Sequence, residues 1–377
     1  MSQKHSNSDG ELPITRRSAL KSLGAAGAGV SLFSGTVSSQ EKTKTIVVAR
    51  AGDRPVRTKD VPADWYREKE NASEAVSELK SKLLSDNQDC CGEIVKEKGE
   101  GVFGIGVRRS DGKIGDRYGF KIRVQVKKDQ LPPILKDHIN EIPVEVEQTK
   151  NTLEPQDCNE DTYTPVPGGV SMSADGGATV TSKAWDMYGN PGALVCAHVF
   201  NQNFTCDNNL AGESATQGGN KMGEVPSENH FSHDDDFAFL DKTGNETSGY
   251  KDAIEGVVDD VRGYKTKDGL YDLQSIGETV YQFGRTTCET SGQITGVENH
   301  GRSGTGWCYA TNQEVQTDIS TDSGDSGGPL YTKYFDKGDY EYRGEIIAPL
   351  YGADSEGARG AAAYHIYDSY GIRFTPP

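Results

Sequence analysis

The hydrophobic pattern of this chain changes period along its length, and each change predicts a different kind of structure. In Asp64 to Leu84, Ala72, Ala75, Val76, Leu79 and Leu83 recur at helical spacing among charged residues, which predicts an amphipathic helix with its apolar stripe against a core. From Gly101 the period drops to two. Phe103, Ile105 and Val107 alternate with their neighbours, and Tyr118, Phe120, Ile122, Val124 and Val126 alternate with Lys121, Arg123 and Gln125, the pattern of half-buried strands. A short helix after Pro132-Pro133 and a third strand over Ile142 to Val146 complete a helix, strand, strand, helix, strand order, so residues 64–149 predict a small α+β layer. A polar stretch carrying Pro155, Pro165 and Pro167 reads as a linker over 150–167, with a tip open to cleavage. Beyond Gly168 helical periodicity nearly vanishes. Short apolar runs separated by Gly176-Gly177, Gly189-Asn190-Pro191 and Gly218-Gly219-Asn220 predict antiparallel strands in barrels or sandwiches over 168–377.

Charge narrows the range of partners. The chain has 377 residues, length enough for two domains, and carries 40 Lys and Arg against 57 Asp and Glu, a formal charge of -17. A general basic patch for nucleic acid or an anionic membrane is excluded as an expectation, and a strongly hydrated acidic surface suits a salt-rich environment. Residues 1–39 read as an export signal: Arg16-Arg17 precedes a small and apolar stretch from Ser22 to Val37, with Val37 and Ser39 before a cut. This resembles a twin-arginine signal, with Ala19 where Phe is commonest. The segment is short and rich in Gly and Ala, so a membrane anchor is not expected. Secretion into an oxidising compartment follows as the expectation, and seven cysteines fit it. Local spacing favours disulfides Cys196–Cys206, around His198, and Cys288–Cys308, around a Gly-rich hairpin. Of the remaining three, Cys158 is expected to tie one of Cys90 and Cys91 to the following domain.

The chemistry concentrates near the C-terminus. In Thr321-Asp322-Ser323-Gly324-Asp325-Ser326-Gly327-Gly328-Pro329-Leu330, glycines flank Ser326 and allow a tight loop that aims the Gly324 and Ser326 N–H groups at one point, an oxyanion hole. The string Gly-Asp-Ser-Gly-Gly-Pro-Leu resembles the signature of the chymotrypsin-like serine peptidases. Upstream, Ala193-Leu194-Val195-Cys196-Ala197-His198 resembles the strand end that carries that family's His, and Asp234-Asp235-Asp236-Phe237-Ala238-Phe239-Leu240 resembles the stretch that carries its Asp. Val280-Tyr281-Gln282-Phe283-Gly284-Arg285-Thr286-Thr287, with Thr290-Ser291-Gly292, is similar to a segment of the streptogrisin-type branch. Singly, a His after an apolar run is ordinarily packed core and an Asp triplet a solvated turn. In family order the four motifs read as one site.

That resemblance implies a double β-barrel with the site between the barrels, preceded here by the α+β module. It implies a triad in which Ser326 is the nucleophile, His198 the general base and Asp236 the group that orients it. It also implies secreted endopeptidase activity on peptide or protein substrates, without a cofactor or metal, in a monomeric chain, with manufacture as a zymogen left open. Gly101 to Val107 with Ile142 to Val146 resembles the module preceding the peptidase domain in some microbial relatives, where it can be a cleaved propeptide, a folding assistant or a retained domain. Ser320, Leu350 and Tyr351 fall at the pocket for the residue before the cut bond, and an uncharged Ser320 implies an apolar or medium-sized preference, with Asp322 and Asp354 leaving a basic one open. Asp325 is expected to brace the loop or to pair with a freed N-terminus. His230, His233 and the Asp triplet crowd one loop, but Pro226 and Asn229 argue against the helix a zinc pair at that spacing needs; Asp234 or Asp235 would suit calcium better. A secreted binding protein keeping the fold without turnover is the rival from another class. An esterase would use the same machinery, but no lipase-like elbow on a strand-to-helix turn is present.

Overall fold

The computed structural model describes residues 42–83, 102–126, 138–139, 142–147, 158, 161–200, 209–242, 249–302, 310–354 and 356–377. The predicted export signal, Cys90, Cys91, Cys206, Cys308 and the short helix after Pro132-Pro133 lie outside these residues. The chain is mainly β. Its N-terminal part contains β1 (Thr43–Ala51), β2 (Arg54–Pro62), α1 (Ala63–Leu83), β3 (Val102–Ile114), β4 (Arg117–Val126) and β5 (Ile142–Glu147). The helix follows its predicted stripe, with Ala72, Ala75, Val76 and Leu79 buried together with Trp65. The hairpin of β1 and β2 precedes the helix and was not foreseen from the sequence.

The middle of the chain forms a curved half-barrel from β6 (Ser171–Ser173), β7 (Gly177–Thr179), β8 (Ser182–Trp185), β9 (Pro191–Val195), β10 (Ser214–Gln217), β11 (Asn220–Glu224) and β12 (Phe237–Asp241). Its strands run in the order β8-β9-β12-β11-β10-β6-β7. Next come β13 (Asp260–Lys265), α2 (Lys267–Ile276), β14 (Thr279–Gly284), β15 (Cys288–Arg302), β16 (Ala310–Thr317), β17 (Pro329–Asp336), β18 (Glu341–Asp354), β19 (Gly357–Ala361) and α3 (Ala363–Tyr370). Pairing runs β14 to β15 to β16 to β19 to β18 to β17 and back to β14, which closes a six-stranded barrel. A closed ring leaves no unpaired edge within itself.

Two of those barrel strands also carry the N-terminal part. β15 pairs with β3 along its outer stretch, Gly296 opposite Arg108 and Val297 opposite Val107. On the other side β18 pairs in parallel with β13, and β13 with β1. The apolar face of the N-terminal layer, Ile105, Val107, Phe120, Ile122 and Val124, belongs to the same buried cluster as Val280, Ile294, Val297 and Val315 of the barrel.

The opposite face of β4 departs from the simple alternation. Arg123 falls on the face expected to meet solvent, yet it is 2% exposed, as is Arg117 at the start of the strand. Each has a partner from the C-terminal part of the chain that replaces water: the Arg123 guanidinium pairs with Glu356 at the β18–β19 turn, and Arg117 with Asp272 of α2, donating also to Ser275 Oγ at 3.0 Å. Among the described residues no helix is long and apolar enough to cross a membrane.

Ile122 has no exposed surface, so Ile122→Ala should cost about 2–5 kcal/mol. Because the buried cluster it belongs to spans layer and barrel, the expected result is one shifted calorimetric transition for the folded chain. An unshifted barrel transition beside a separate one for the layer would contradict this.

Candidate active site

Strand pairing explains why two residues 38 positions apart meet. Leu194 lies opposite Phe239 and Val195 opposite Ala238 in the β9–β12 pair, so the end of β9 sits beside the start of β12. His198 opens a short 3-10 turn directly after β9, and Asp236 directly precedes β12. The Asp236 backbone is in the left-handed region at φ 46°, and its side chain is fully buried. Both of its oxygens are used. The His198 N–H donates to Oδ1 at 2.9 Å, and His198 Nδ1 donates to Oδ2 at 2.7 Å. The ring is thereby oriented with Nδ1 on Asp236 and Nε2 on the side away from it. Burial disfavours the imidazolium, but the Asp236 carboxylate outweighs it and holds the His198 pKa well above its ordinary value.

Cys196 also faces this ring, with Sγ 3.9 Å from His198 Nε2. It is a free, fully buried thiol whose pKa is raised by that burial. This corrects the expected Cys196–Cys206 disulfide: the Cys196 side chain points into the half-barrel core rather than toward the surface. The expected Cys288–Cys308 bond is corrected as well, because Cys288 is joined to Cys158, with Cα atoms 5.4 Å apart. That pairing also removes Cys158 as a partner for Cys90 or Cys91. The cause is local. Cys288 turns the β14–β15 hairpin opposite Gly284, where the Cys158 N–H donates to the Arg285 carbonyl, so Cys158, within the predicted linker, lies on the hairpin's tip.

The Ser326 loop connects β16 to β17 in the closed barrel. At its centre Asp325 has no exposed surface. Its Oδ1 accepts the Thr286 N–H at 2.8 Å and the Thr287 N–H at 3.1 Å. Its Oδ2 accepts the Thr287 hydroxyl at 2.6 Å and the Asp322 N–H at 3.0 Å. Four donors satisfy a buried carboxylate, so no amine is needed there. Of the two expectations for Asp325, the brace is the one realised.

Peptide planarity carries the argument one step further. The Ser323 carbonyl accepts the Thr286 hydroxyl at 2.8 Å, and the Asp325 carbonyl accepts the Gly328 N–H at 2.8 Å. In a trans peptide the N–H points away from the carbonyl, so the Gly324 and Ser326 N–H groups are turned away from these anchors. Gly324 adopts φ 98°, a conformation a side chain resists, and a Cβ there would sit 2.7 Å from the Thr286 hydroxyl.

The half-barrel and the closed barrel meet beside Ser326. The Thr179 N–H donates to the Ser326 carbonyl at 2.8 Å, and the Thr181 hydroxyl to the Gly327 carbonyl at 2.5 Å. Gly327 packs so closely that a Cβ would lie 2.1 Å from the Thr179 carbonyl oxygen and 3.4 Å from the Cys196 nitrogen. The structure therefore joins His198 to Asp236 directly, and sets the residue after Ser326 against the segment leading into His198. Ser326 itself is partly exposed. On the other side, Gly327 N–H donates to Leu350 O at 2.6 Å and Leu350 N–H to Gly328 O at 2.8 Å.

The remaining predicted residues differ in kind. Ser320 is exposed, next to Ile319, whose carbonyl accepts the Ala358 N–H at 2.9 Å. The Leu350 side chain is packed in the barrel core, so its place beside the loop is held by its backbone. Tyr351 is also buried, its hydroxyl donating to Glu314. Thr179, Thr181, Thr286 and Thr287 were missed as individual anchors; the Gly-Arg-Thr-Thr string was the available signal for two of them. Among the described residues no group of three or more His, Cys, Asp or Glu is arranged to hold a metal ion. His230 instead hydrogen-bonds Ser227 Oγ at 2.7 Å, and Asp235 accepts the Tyr370 hydroxyl at 2.6 Å.

No family model matches the chain, and no curated protein matches it. Among solved structures, a Nocardiopsis protease (NAPase) is similar over 55% of this chain and 97% of its own, at 20% identity and a TM-score of 0.40. Deg5 is similar over 50% of this chain and 80% of its own, at 18% identity and a TM-score of 0.26.

His198 gives a direct test. In a pH titration followed by NMR, its midpoint should lie above the ordinary value of about 6.5, and Asp236→Asn should lower it. The matching stability contribution is complete below the unfolded-state pKa and is lost as pH rises through the higher folded-state value. A His198 midpoint unmoved by Asp236→Asn would contradict the geometry.

Proposed function

We propose that this chain is a secreted serine endopeptidase of the chymotrypsin-like kind, close in its motifs to the streptogrisin-type branch. The observation that carries the reading is the pair of bonds from His198 to Asp236. They fix the imidazole tautomer with Nε2 as its remaining nitrogen, at the seam where the Ser326 loop is held. Ser326 Oγ attacks the carbonyl carbon of a peptide while His198 Nε2 takes its proton. Asp236 stays ionised and stabilises the imidazolium that forms. The carbonyl oxygen becomes an anion opposite the Gly324 and Ser326 N–H groups, whose direction is set by the anchored Ser323 and Asp325 carbonyls. Collapse breaks the C–N bond, the imidazolium proton goes to the leaving amine, and an acyl-Ser326 ester remains. A water that gives its proton to His198 then attacks that ester; the C–Oγ bond breaks, His198 returns the proton to Ser326 Oγ, and the acid is released.

Peptides and proteins are the proposed substrates, with an apolar or medium-sized residue before the cut bond. Export by a twin-arginine-type signal and action outside the cell as a monomer belong to the same reading. The satisfied Asp325 carboxylate supports an active loop that forms without a newly cut N-terminus, so processing in the linker is not required for the chemistry. A non-catalytic binding protein is the alternative, and one measurement separates them. Wild-type protein is expected to react with a fluorophosphonate probe and to hydrolyse peptides, and Ser326→Ala to lose both. Folded wild-type protein that stays unlabelled in low and high salt would favour the binding protein.

A further inference from the structure

The described cavity between β1 and α2, the exposed aromatic tip of the β17–β18 hairpin and the Cys196 thiol each lack a feature that identifies a ligand. A different cluster leads from the N-terminal layer to the proposed substrate pocket. Three segments converge beside the Ser326 loop: Ser320 and its neighbours, the stretch of β18 from Tyr351 to Ala353, and the start of β19. The latter two are joined by the turn that carries Glu356. Gly352 pairs with Arg359 and Ala353 with Ala358 across this hairpin.

Glu356 is held from outside the barrel. Arg108 of β3 donates to Glu356 Oε2 at 3.0 Å and to Gln316 Oε1 at 3.0 Å. Arg123 of β4, almost wholly buried, pairs with Glu356 and donates to the same Gln316 oxygen at 3.2 Å. Gln316 in turn donates its amide to Glu356 Oε2 at 2.9 Å. The network continues inward, as Arg359 donates to Glu314 Oε1 at 3.3 Å and Tyr351 donates to the other Glu314 oxygen. Two arginines from the N-terminal layer thus grip the turn between two pocket strands. Without them, the side chains of Glu356 and Gln316 lose their strong donors, and the hairpin is free to shift.

We propose that Arg108 and Arg123 are positioning residues for the substrate pocket, acting through Glu356, and that the N-terminal layer is a retained part of the working enzyme. This rests on the peptidase reading above. Their contribution is to substrate fit, not to the reactivity of Ser326, which Asp236, His198 and Asp325 govern.

The test compares Glu356→Gln, Arg108→Gln and the double variant in the full chain, using a series of peptide substrates that differ before the cut bond and the fluorophosphonate probe in parallel. Thermal melting establishes that each variant is folded, and Arg108→Lys serves as the conservative replacement. The expected result is a KM raised about tenfold, with a changed order of preference among the peptides and probe labelling within about twofold of wild type. The double variant should fall short of the combined effect of the two single ones, because both changes break the Arg108–Glu356 contact. Arg108→Lys should recover part of the loss. Folded Glu356→Gln with unaltered KM and preference would overturn the proposal. So would intact-mass measurement of active secreted enzyme that lacks residues 43–147. If wild-type protein is never labelled, the peptidase reading fails first, and this is seen before any variant is made.

Discussion

The arrangement depends first on one buried carboxylate. Asp325 is placed where water cannot reach it, and a lone charge in such a place is strongly disfavoured. It is tolerated because two consecutive backbone N–H groups and a hydroxyl from Thr286-Thr287, and one N–H from its own loop, converge on it. The Ser326 loop can therefore adopt this shape only when the end of β14 and its turn are in place. Once it does, the carbonyls on either side are tied back, and the directions of the Gly324 and Ser326 N–H groups are no longer free. Local electrostatics thereby fixes the part of the loop that would face a substrate.

The second constraint is the seam between half-barrel and closed barrel, and threonines of residues 179–181 carry it. Thr179 uses its N–H on the Ser326 carbonyl and its hydroxyl on the Gly324 carbonyl, while Thr181 reaches the Gly327 carbonyl. The Thr181 N–H meanwhile donates to the Leu194 carbonyl of β9, the strand that leads to His198. One short segment thus touches both the loop holding Ser326 and the strand leading to His198. These bonds act beside an apolar contact, since Ala184, Leu194, Phe237 and Phe239 of the half-barrel share one buried cluster with Phe283 and Leu330 of the closed barrel.

Much of this was legible in the sequence because short-range rules produce it. The helix of residues 63–83 follows from its stripe, and β3 and β4 from their alternation. Asp236 and His198 carried recognisable neighbours, Phe237-Ala238 and Ala197, with Cys196 where Ala is usual. What was not legible depends on long-range partners. Nothing local in Cys158 or Cys288 indicates the other, 130 residues away. Arg123 obeys the alternation of its strand and still becomes buried, because the face it occupies is covered by Glu356 and Gln316. Residues 43–62 lack a strong alternation of their own, and become a hairpin because β13 offers an edge to pair with.

Charge distribution follows the same division. In a chain with an excess of acid, several cations of the N-terminal part pair with carboxylates from the rest of the chain. Arg57 and the buried Lys265 share Glu345, Lys59 and Arg117 share Asp272, Lys69 pairs with Asp268, and Arg108 and Arg123 share Glu356. Every carboxylate in that set belongs to residues 268–356. Salt screens exposed pairs over a few ångströms but acts weakly on groups that water does not reach, such as Glu345 and Arg123. A surface left acidic stays hydrated as ionic strength rises, while the paired seam keeps its strength. Removing the N-terminal part would leave Glu345 and Asp272 buried with fewer partners, which is costly in a low-dielectric interior. The same charges that make the outer surface repel itself thus make the inner seam adhere, and that asymmetry ties the N-terminal layer to the barrel that holds the Ser326 loop.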